Sequence, residues 1–178
     1  RIQEQKGQLQ TLEFLNNFKK IENDFKCIFI GGPSGKYGNE YLEELERTVK
    51  NLSLDTHVEF VDNLPQTKII KLLNKAKLLI HTSQFETFGL VAIEAQTMGV
   101  PVLSINNGSL MEIIENNKNG YLSETLIDRG VTNFVSNLLN ENKIFEEISS
   151  SCIEMSKKYD WKKTSHIIQN IYEELVTY

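Results

Sequence analysis

The chain reads as an α/β protein: a doubly wound parallel sheet covered by helices on both faces and followed by C-terminal helices. Three observations predict this. Short apolar runs of strand length alternate with segments of helical apolar period through most of the sequence. The first apolar run closes on Gly31-Gly32-Pro33, the turn that follows a buried parallel strand. Beyond Leu122 only helical periods remain.

The elements follow in order. A first helix is expected over Gln8 to Ile21, where Leu9, Leu12, Leu15, Phe18 and Ile21 recur at helical spacing. Phe25 to Ile30 reads as a strand, and Asn39 to Leu52 as a helix through Tyr41, Leu42, Leu45 and Val49. Val58 to Val61 is a strand, Thr67 to Ala76 a helix and Leu78 to His81 a strand. Thr87 to Met98 reads as a helix, Val100 to Ile105 as a strand, Leu110 to Asn116 as a short helix and Tyr121-Leu122 as a weaker strand. Leu126 to Leu139, Phe145 to Lys157 and Lys162 to Val176 are the closing helices. Right-handed crossovers turn such units into a parallel sheet, and ligands bind at the carboxyl ends of its strands. No repeat, low-complexity tract or linker interrupts the pattern, so residues 1–178 are expected to form one domain.

Composition narrows the function. Hydrophobic residues make up 40% and charged residues 24%, a globular balance. No apolar run approaches the roughly 20 residues that cross a bilayer. The chain opens at Arg1, not Met, and without a leader pattern, as expected of a piece of a longer protein. The net charge is −5 with Lys and Arg dispersed, which argues against nucleic acid, because a phosphate backbone calls for a concentrated basic face. Any anion site must be local. Cys27 and Cys152 lack CxxC spacing, so reduced thiols and a cytoplasmic location are expected. His57, His81 and His166 show no metal-ligand spacing and no Asp-x-Asp pair occurs, so neither a metal nor a separate cofactor is expected.

The informative stretch runs from Ser83 to Glu94. The helix expected from Thr87 is apolar on nearly every face, through Phe88, Leu90, Val91, Ala92, Ile93, Ala95 and Met98, which predicts a buried helix. Glu94 is its single charge. An unpaired buried carboxylate costs several kcal/mol, so Glu94 is expected to meet a partner, lose its charge or line a ligand cavity. Glu86 precedes the helix, at the carboxyl edge of the sheet. The helix start then offers amides around Thr87, Phe88 and Gly89 and the positive end of its dipole, which suit a phosphate. Gly89 lets the backbone approach an oxygen closely. A carboxylate, an anion seat and a second carboxylate thus lie along one path, as hydroxyls, a diphosphate and a ribose do in a nucleotide sugar.

This string carries a resemblance. Glu86-Thr87-Phe88-Gly89-Leu90, then Glu94-Ala95 and Gly99-Val100-Pro101-Val102, resembles the Glu-x7-Glu signature of the retaining glycosyltransferases of GT-B fold, the family 4-like "glycosyl transferases group 1". Taken singly, Glu86 reads equally as a helix-start acid and Glu94 as half of a buried ion pair; the ordered string is what resembles the family. The resemblance implies the C-terminal, Rossmann-like donor-binding half of a GT-B enzyme. By it Glu86 holds the donor sugar's hydroxyls, Phe88, Gly89 and Leu90 lie on the phosphate side, and Glu94 binds the ribose.

The likeness extends along the chain. Arg1-Ile2-Gln3-Glu4-Gln5-Lys6-Gly7 is similar to the family's Gly-Arg-…-Glu-Lys-Gly segment, which implies that Arg1 and Lys6 grip the donor diphosphate. Gly31 to Gly35 resembles its glycine loop and lacks the spacing of a Walker loop. Val58 to Leu64 resembles the strand whose following backbone holds the base, which makes Asn63 and Leu64 candidate base contacts. Asn106-Asn107-Gly108-Ser109-Leu110-Met111-Glu112 resembles the Gly-Gly-x-Pro-Glu loop, with Ser109 for the second glycine and Met111 for the usual Pro or Ala. Trp161 reads as a packing anchor more than a sugar platform.

Two departures stand out. The family's domain opens with a central strand just before the Arg, so either that strand lies outside the sequence or this sheet has a gap. Its acceptor-binding domain also precedes this half and is outside the sequence. The implied donor is a UDP- or GDP-sugar of hexose type, with an acceptor glycan or lipid-linked acceptor met through that other domain. This leaves room for peripheral association with the cytoplasmic membrane face. A non-catalytic nucleotide-sugar-binding module is the alternative. A receiver domain would need clustered acids after its first strand and a dehydrogenase Gly-x-Gly-x-x-Gly opening its first helix; neither occurs.

Overall fold

The computed structural model describes residues 1–106 and 108–176. After a 3₁₀ turn at Glu4–Lys6 come α1 (Gln8–Phe18), β1 (Cys27–Ile30), α2 (Gly38–Asn51), β2 (Val58–Val61), α3 (Gln66–Leu73), β3 (Leu79–His81), α4 (Leu90–Thr97), β4 (Val102–Ile105), α5 (Leu110–Ile113) and β5 (Gly120–Ser123). Helices α6 (Arg129–Asn140), α7 (Asn142–Ser156) and α8 (Trp161–Val176) close the chain. Strand and helix alternate as the apolar periods predict, and every strand pairing is parallel.

The strands form two ribbons among the described residues, β1–β2 and β3–β4–β5. Arg1–Gly7 runs between their carboxyl ends. On one side the Ile2 amide donates to Gly32 O at 2.9 Å, and Ile2 O accepts from Ser34 N at 3.0 Å. On the other, Gln84 N donates to Gln5 O at 2.9 Å and Thr82 Oγ1 to Lys6 O at 2.9 Å. Gly7 has a φ of +67°, and a Cβ there would lie 2.2 Å from Thr82 O. Only glycine lets the segment lie this close to β3.

The main core joins Leu12, Leu15 and Phe18 of α1 to Leu45 and Val49 of α2 and to Val131, Phe134 and Leu138 of α6. A second cluster surrounds α4: Ala92, Ile93, Ala95, Val100, Val102, Leu110, Ile113 and Ile114. It is stitched by buried Asn119, whose Nδ2 donates to Ile113 O at 2.8 Å while its Oδ1 accepts from Glu115 N at 2.7 Å. A buried amide satisfied at both ends fixes a loop as firmly as apolar packing does.

Helix ends depart from the expectations for local reasons. Helix α1 stops at Phe18, leaving Ile21 exposed. Helix α4 ends where the Val100 amide returns to Ala95 O and the Gly99 amide to Gln96 O, with Gly99 at a φ of +74°. That left-handed glycine cap explains the Gly-Val-Pro-Val run and delays β4 to Val102, because Val100 is spent on the cap and Pro101 has no amide. Trp161, expected as a packing anchor, is 76% exposed. It starts α8, whose apolar face (Ile167, Ile168, Ile171, Leu175) is also exposed.

The largest correction concerns α4. It begins at Leu90, because Gly89 adopts a left-handed φ of +82° and breaks the helical path from Thr87. It is also not buried all round. Leu90 is 55% and Val91 51% exposed, and Glu94 lies on the exposed surface with them. The expectation of a lone buried carboxylate therefore fails. One face of α4 packs on the second cluster, and the other is an open apolar surface around an acid that water solvates.

Candidate functional site

The site gathers at the carboxyl end of β3. Its pairing with β4 carries the chain to His81, whose carbonyl accepts from Ser104 Oγ at 2.8 Å. Residues 82–89 then belong to no helix or strand and lead into α4. Within them, Glu86 Oε1 accepts from the Gly89 amide at 3.2 Å. Glu86 Oε2 lies 3.2 Å from His81 Nε2 and 3.5 Å from Lys6 Nζ. Segments far apart in sequence thus meet on one carboxylate, which keeps 17% of its side chain exposed.

Gly89 is where backbone conformation and packing meet. A Cβ there would lie 2.7 Å from Leu110 Cδ2 and 3.1 Å from Ile113 Cδ1, so α5 presses directly on the turn that orients the Glu86 carboxylate. The following loop adds contacts to the Glu86 backbone: Ser109 Oγ donates to Glu86 O at 3.5 Å, and a Cβ on Gly108 would lie 2.7 Å from the same oxygen. Ser109 at the second glycine position therefore contacts the chain, while Asn107 of the expected motif lies outside the described residues.

Electrostatics makes Glu86 an acceptor. Burial, the largest single influence, pushes its carboxyl up; the Gly89 amide, the Lys6 charge and His81 together outweigh that, and the group sits below its ordinary value. His81 is also depressed. Burial leads, the nearby Lys6 charge adds to it, and Glu86 opposes without prevailing, so the ring is neutral at pH 7. A carboxylate with lone pairs to spare beside an ammonium suits hydroxyl donors next to an anion.

The other expected residues take up a larger arc. Arg1 is exposed beside the Gly31 turn, where a Cβ on Gly31 would lie 2.5 Å from Arg1 N. Asn63 stands at the end of β2, its Oδ1 accepting from Gly32 N at 3.3 Å, and Leu64 beside it is half-buried. Phe88 is exposed and meets Tyr159 edge-on at 6.3 Å between ring centres. With Phe85, Leu90 and Val91 it makes an exposed apolar lip next to Glu86 and Glu94, the kind of patch that marks a binding surface. Lys6, Glu86 and Gly89 are therefore in direct contact, whereas Arg1, Asn63, Leu64 and Glu94 are not bonded to them.

The sequence matches a family of known proteins. The profile described as "Glycosyl transferases group 1" matches residues 1–159. This chain belongs to that family. The D-inositol 3-phosphate glycosyltransferase of Acidothermus cellulolyticus is 25% identical over 162 residues, covering 91% of this chain and 36% of that protein. Among solved structures, the Anabaena protein HepE in complex with UDP superposes with a TM-score of 0.83 at 25% identity, over 100% of this chain and 47% of its own. The C-terminal domain of a glycosyl transferase group 1 protein from Francisella tularensis, 24% identical with a TM-score of 0.78 over 90% of this chain and 83% of its own, has the same fold. The chain thus spans about a third of the curated relatives it matches and about half of HepE. It has the α/β architecture of the C-terminal half of these GT-B glycosyltransferases.

Sequence reasoning missed His81. Its lack of metal-ligand spacing says nothing of this role, although a titratable residue closing a strand at the sheet's carboxyl edge, five positions before Glu86, is itself a signal.

Proposed function

We propose that this chain is the donor-binding half of a retaining glycosyltransferase that moves a hexose from a UDP- or GDP-sugar to an acceptor hydroxyl. The observation that carries the reading is the meeting of Lys6, Glu86 and the Gly89 turn at the carboxyl end of β3. Glu86 accepts from sugar hydroxyls. Lys6 and Arg1, with the amides of Leu90 and Val91 at the start of α4, receive the diphosphate, and Phe88 and Gly89 flank it. Exposed Glu94 takes the ribose hydroxyls, a role that needs no buried charge. Asn63 and Leu64 face the base.

In transfer, negative charge grows on the departing nucleoside diphosphate, and Lys6 and Arg1 stabilise it electrostatically with no metal in the reaction. HepE, in complex with UDP and with UDP-glucose at 25% identity, supports uridine over guanosine. An acceptor glycan or lipid-linked acceptor is met through an N-terminal acceptor-binding domain, in the cytoplasm or at its membrane face. Among the described residues no helix is long and apolar enough to cross a membrane.

Calorimetric competition among UDP-, GDP- and ADP-sugars tests the reading. One of the first two binds the wild-type chain, Glu86→Ala removes the contribution of the sugar, and Glu94→Ala weakens nucleotide and nucleotide sugar alike. A wild-type chain that binds none of the three sinks it.

A further inference from the structure

His81 is nine-tenths buried at the last position of β3, with Nε2 3.2 Å from Glu86 Oε2 and Nδ1 buried without a partner among the described residues. The two nitrogens restrict the ring to one state. An imidazolium would need acceptors for two N–H groups, and Nδ1 reaches none in hydrogen-bond geometry, only a poor approach to the residue's own backbone. An Nδ1–H tautomer would leave that N–H poorly paired and also turn a bare Nε2 lone pair toward a carboxylate oxygen. The neutral Nε2–H tautomer leaves only an acceptor unpaired, and its proton points at Glu86.

The partners of Glu86 differ in how firmly they are held. His81 is anchored through its backbone, paired with Ser104 of β4 and accepting from that serine's Oγ. Lys6 has 36% of its side chain exposed on a flexible stem, and in the proposed function it turns to the diphosphate. Once it does, the Gly89 amide on Oε1 and the His81 ring on Oε2 still hold the carboxylate, one donor to each oxygen.

We propose that His81 is a positioning residue, whose neutral Nε2–H holds the Glu86 carboxylate in the rotation that turns its free lone pairs to the donor sugar. The inference rests on the role given to Glu86 above and adds a residue that touches no substrate. It separates recognition of the sugar from recognition of the nucleotide, because His81 acts on Glu86 alone.

Two measurements test it. In the ¹⁵N-histidine-labelled chain, long-range ¹⁵N–¹H correlation at pH 7 shows the His81 ring as the neutral Nε2–H tautomer, assigned by its loss in His81→Gln. An Nδ1–H tautomer or a doubly protonated ring overturns the proposal. Calorimetry then compares UDP with UDP-glucose. In His81→Leu the extra affinity contributed by glucose falls about tenfold, the worth of a hydrogen bond to a charged group. UDP alone stays within about twofold, the range of a change away from its own contacts. His81→Gln, which keeps a neutral N–H donor, restores the glucose increment. Equal weakening of both ligands in His81→Leu, an unchanged increment, or failure of Gln to restore it sinks the proposal while leaving the donor site standing. A wild-type chain that binds neither ligand sinks both.

Discussion

Gly89 can be tested against a glycine of the same backbone conformation. Gly89 and Gly35 share a φ of +82°, but their surroundings differ. A Cβ at Gly89 meets Leu110 Cδ2 at 2.7 Å and Ile113 Cδ1 at 3.1 Å, whereas one at exposed Gly35 meets only Gln3 Nε2 at 3.2 Å. Forcing alanine into the left-handed region costs about 1–2 kcal/mol at either position. A stiffer unfolded chain returns about 0.4–1 kcal/mol of that. At Gly89 the methyl must also displace Leu110, which is fully buried and cannot swing into solvent, an overpacking cost of about 1–3 kcal/mol. Gly35→Ala should therefore destabilise by about 1 kcal/mol and Gly89→Ala by about 2–4 kcal/mol. With a urea dependence of roughly 2 kcal/mol per molar, the unfolding midpoints fall by about 0.5 M and 1–2 M. Equal shifts in the two variants would refute the packing argument.

Stability should also fall with pH in two stages. The folded values of His81 and Glu86 are both depressed, so the stability each confers is present above its unfolded value and lost as pH falls toward the folded one. Loss begins below about pH 6.5 for His81 and below about 4.3 for Glu86. His81→Gln removes the first stage in urea midpoints taken at pH 7.5, 5.5 and 3.5, and an unchanged first stage contradicts the assignment. Lys6→Met should weaken UDP about tenfold, the worth of a charge-assisted hydrogen bond, and flatten its salt dependence. Equal affinity in calorimetry at low salt counts against a phosphate role. Burial pushes the Cys152 thiol up to about 12, so it does not label with a thiol reagent at pH 8 until the chain unfolds. Fast native labelling of Cys152 would contradict that burial.

Much of the fold was legible because the strands are short and apolar and the helices between them keep a regular period. Helix α2 differs from the expected span by a residue at each end, and β2 agrees with it. The start of α4 was not legible. Thr87, Phe88 and Gly89 continue the apolar pattern, yet the left-handed turn at Gly89 frees the Glu86 carboxylate from the helix. Nor did the pattern distinguish Leu90 and Val91 from Ala92 and Ala95. Apolar residues that line an open surface look the same in sequence as those that fill a core, so the burial argument for Glu94 misread one for the other. Lys6 and Glu86, singled out from separate motifs, stand 3.5 Å apart, whereas His81 depends on which strand ends beneath the glutamate, a fact of topology.

The segment that carries Arg1 and Lys6 is also the buckle between the ribbons, fastened to the turn after β1 at Ile2 and to the residues just after β3 at Gln5 and Lys6. Any molecule that Arg1 and Lys6 clasp tightens that buckle from outside. At a hundred times its Kd such a ligand adds about 2.7 kcal/mol to the folded state. Occupancy and cohesion of the two ribbons then become one event, and amide exchange slows in β1–β2 and β3–β4–β5 together.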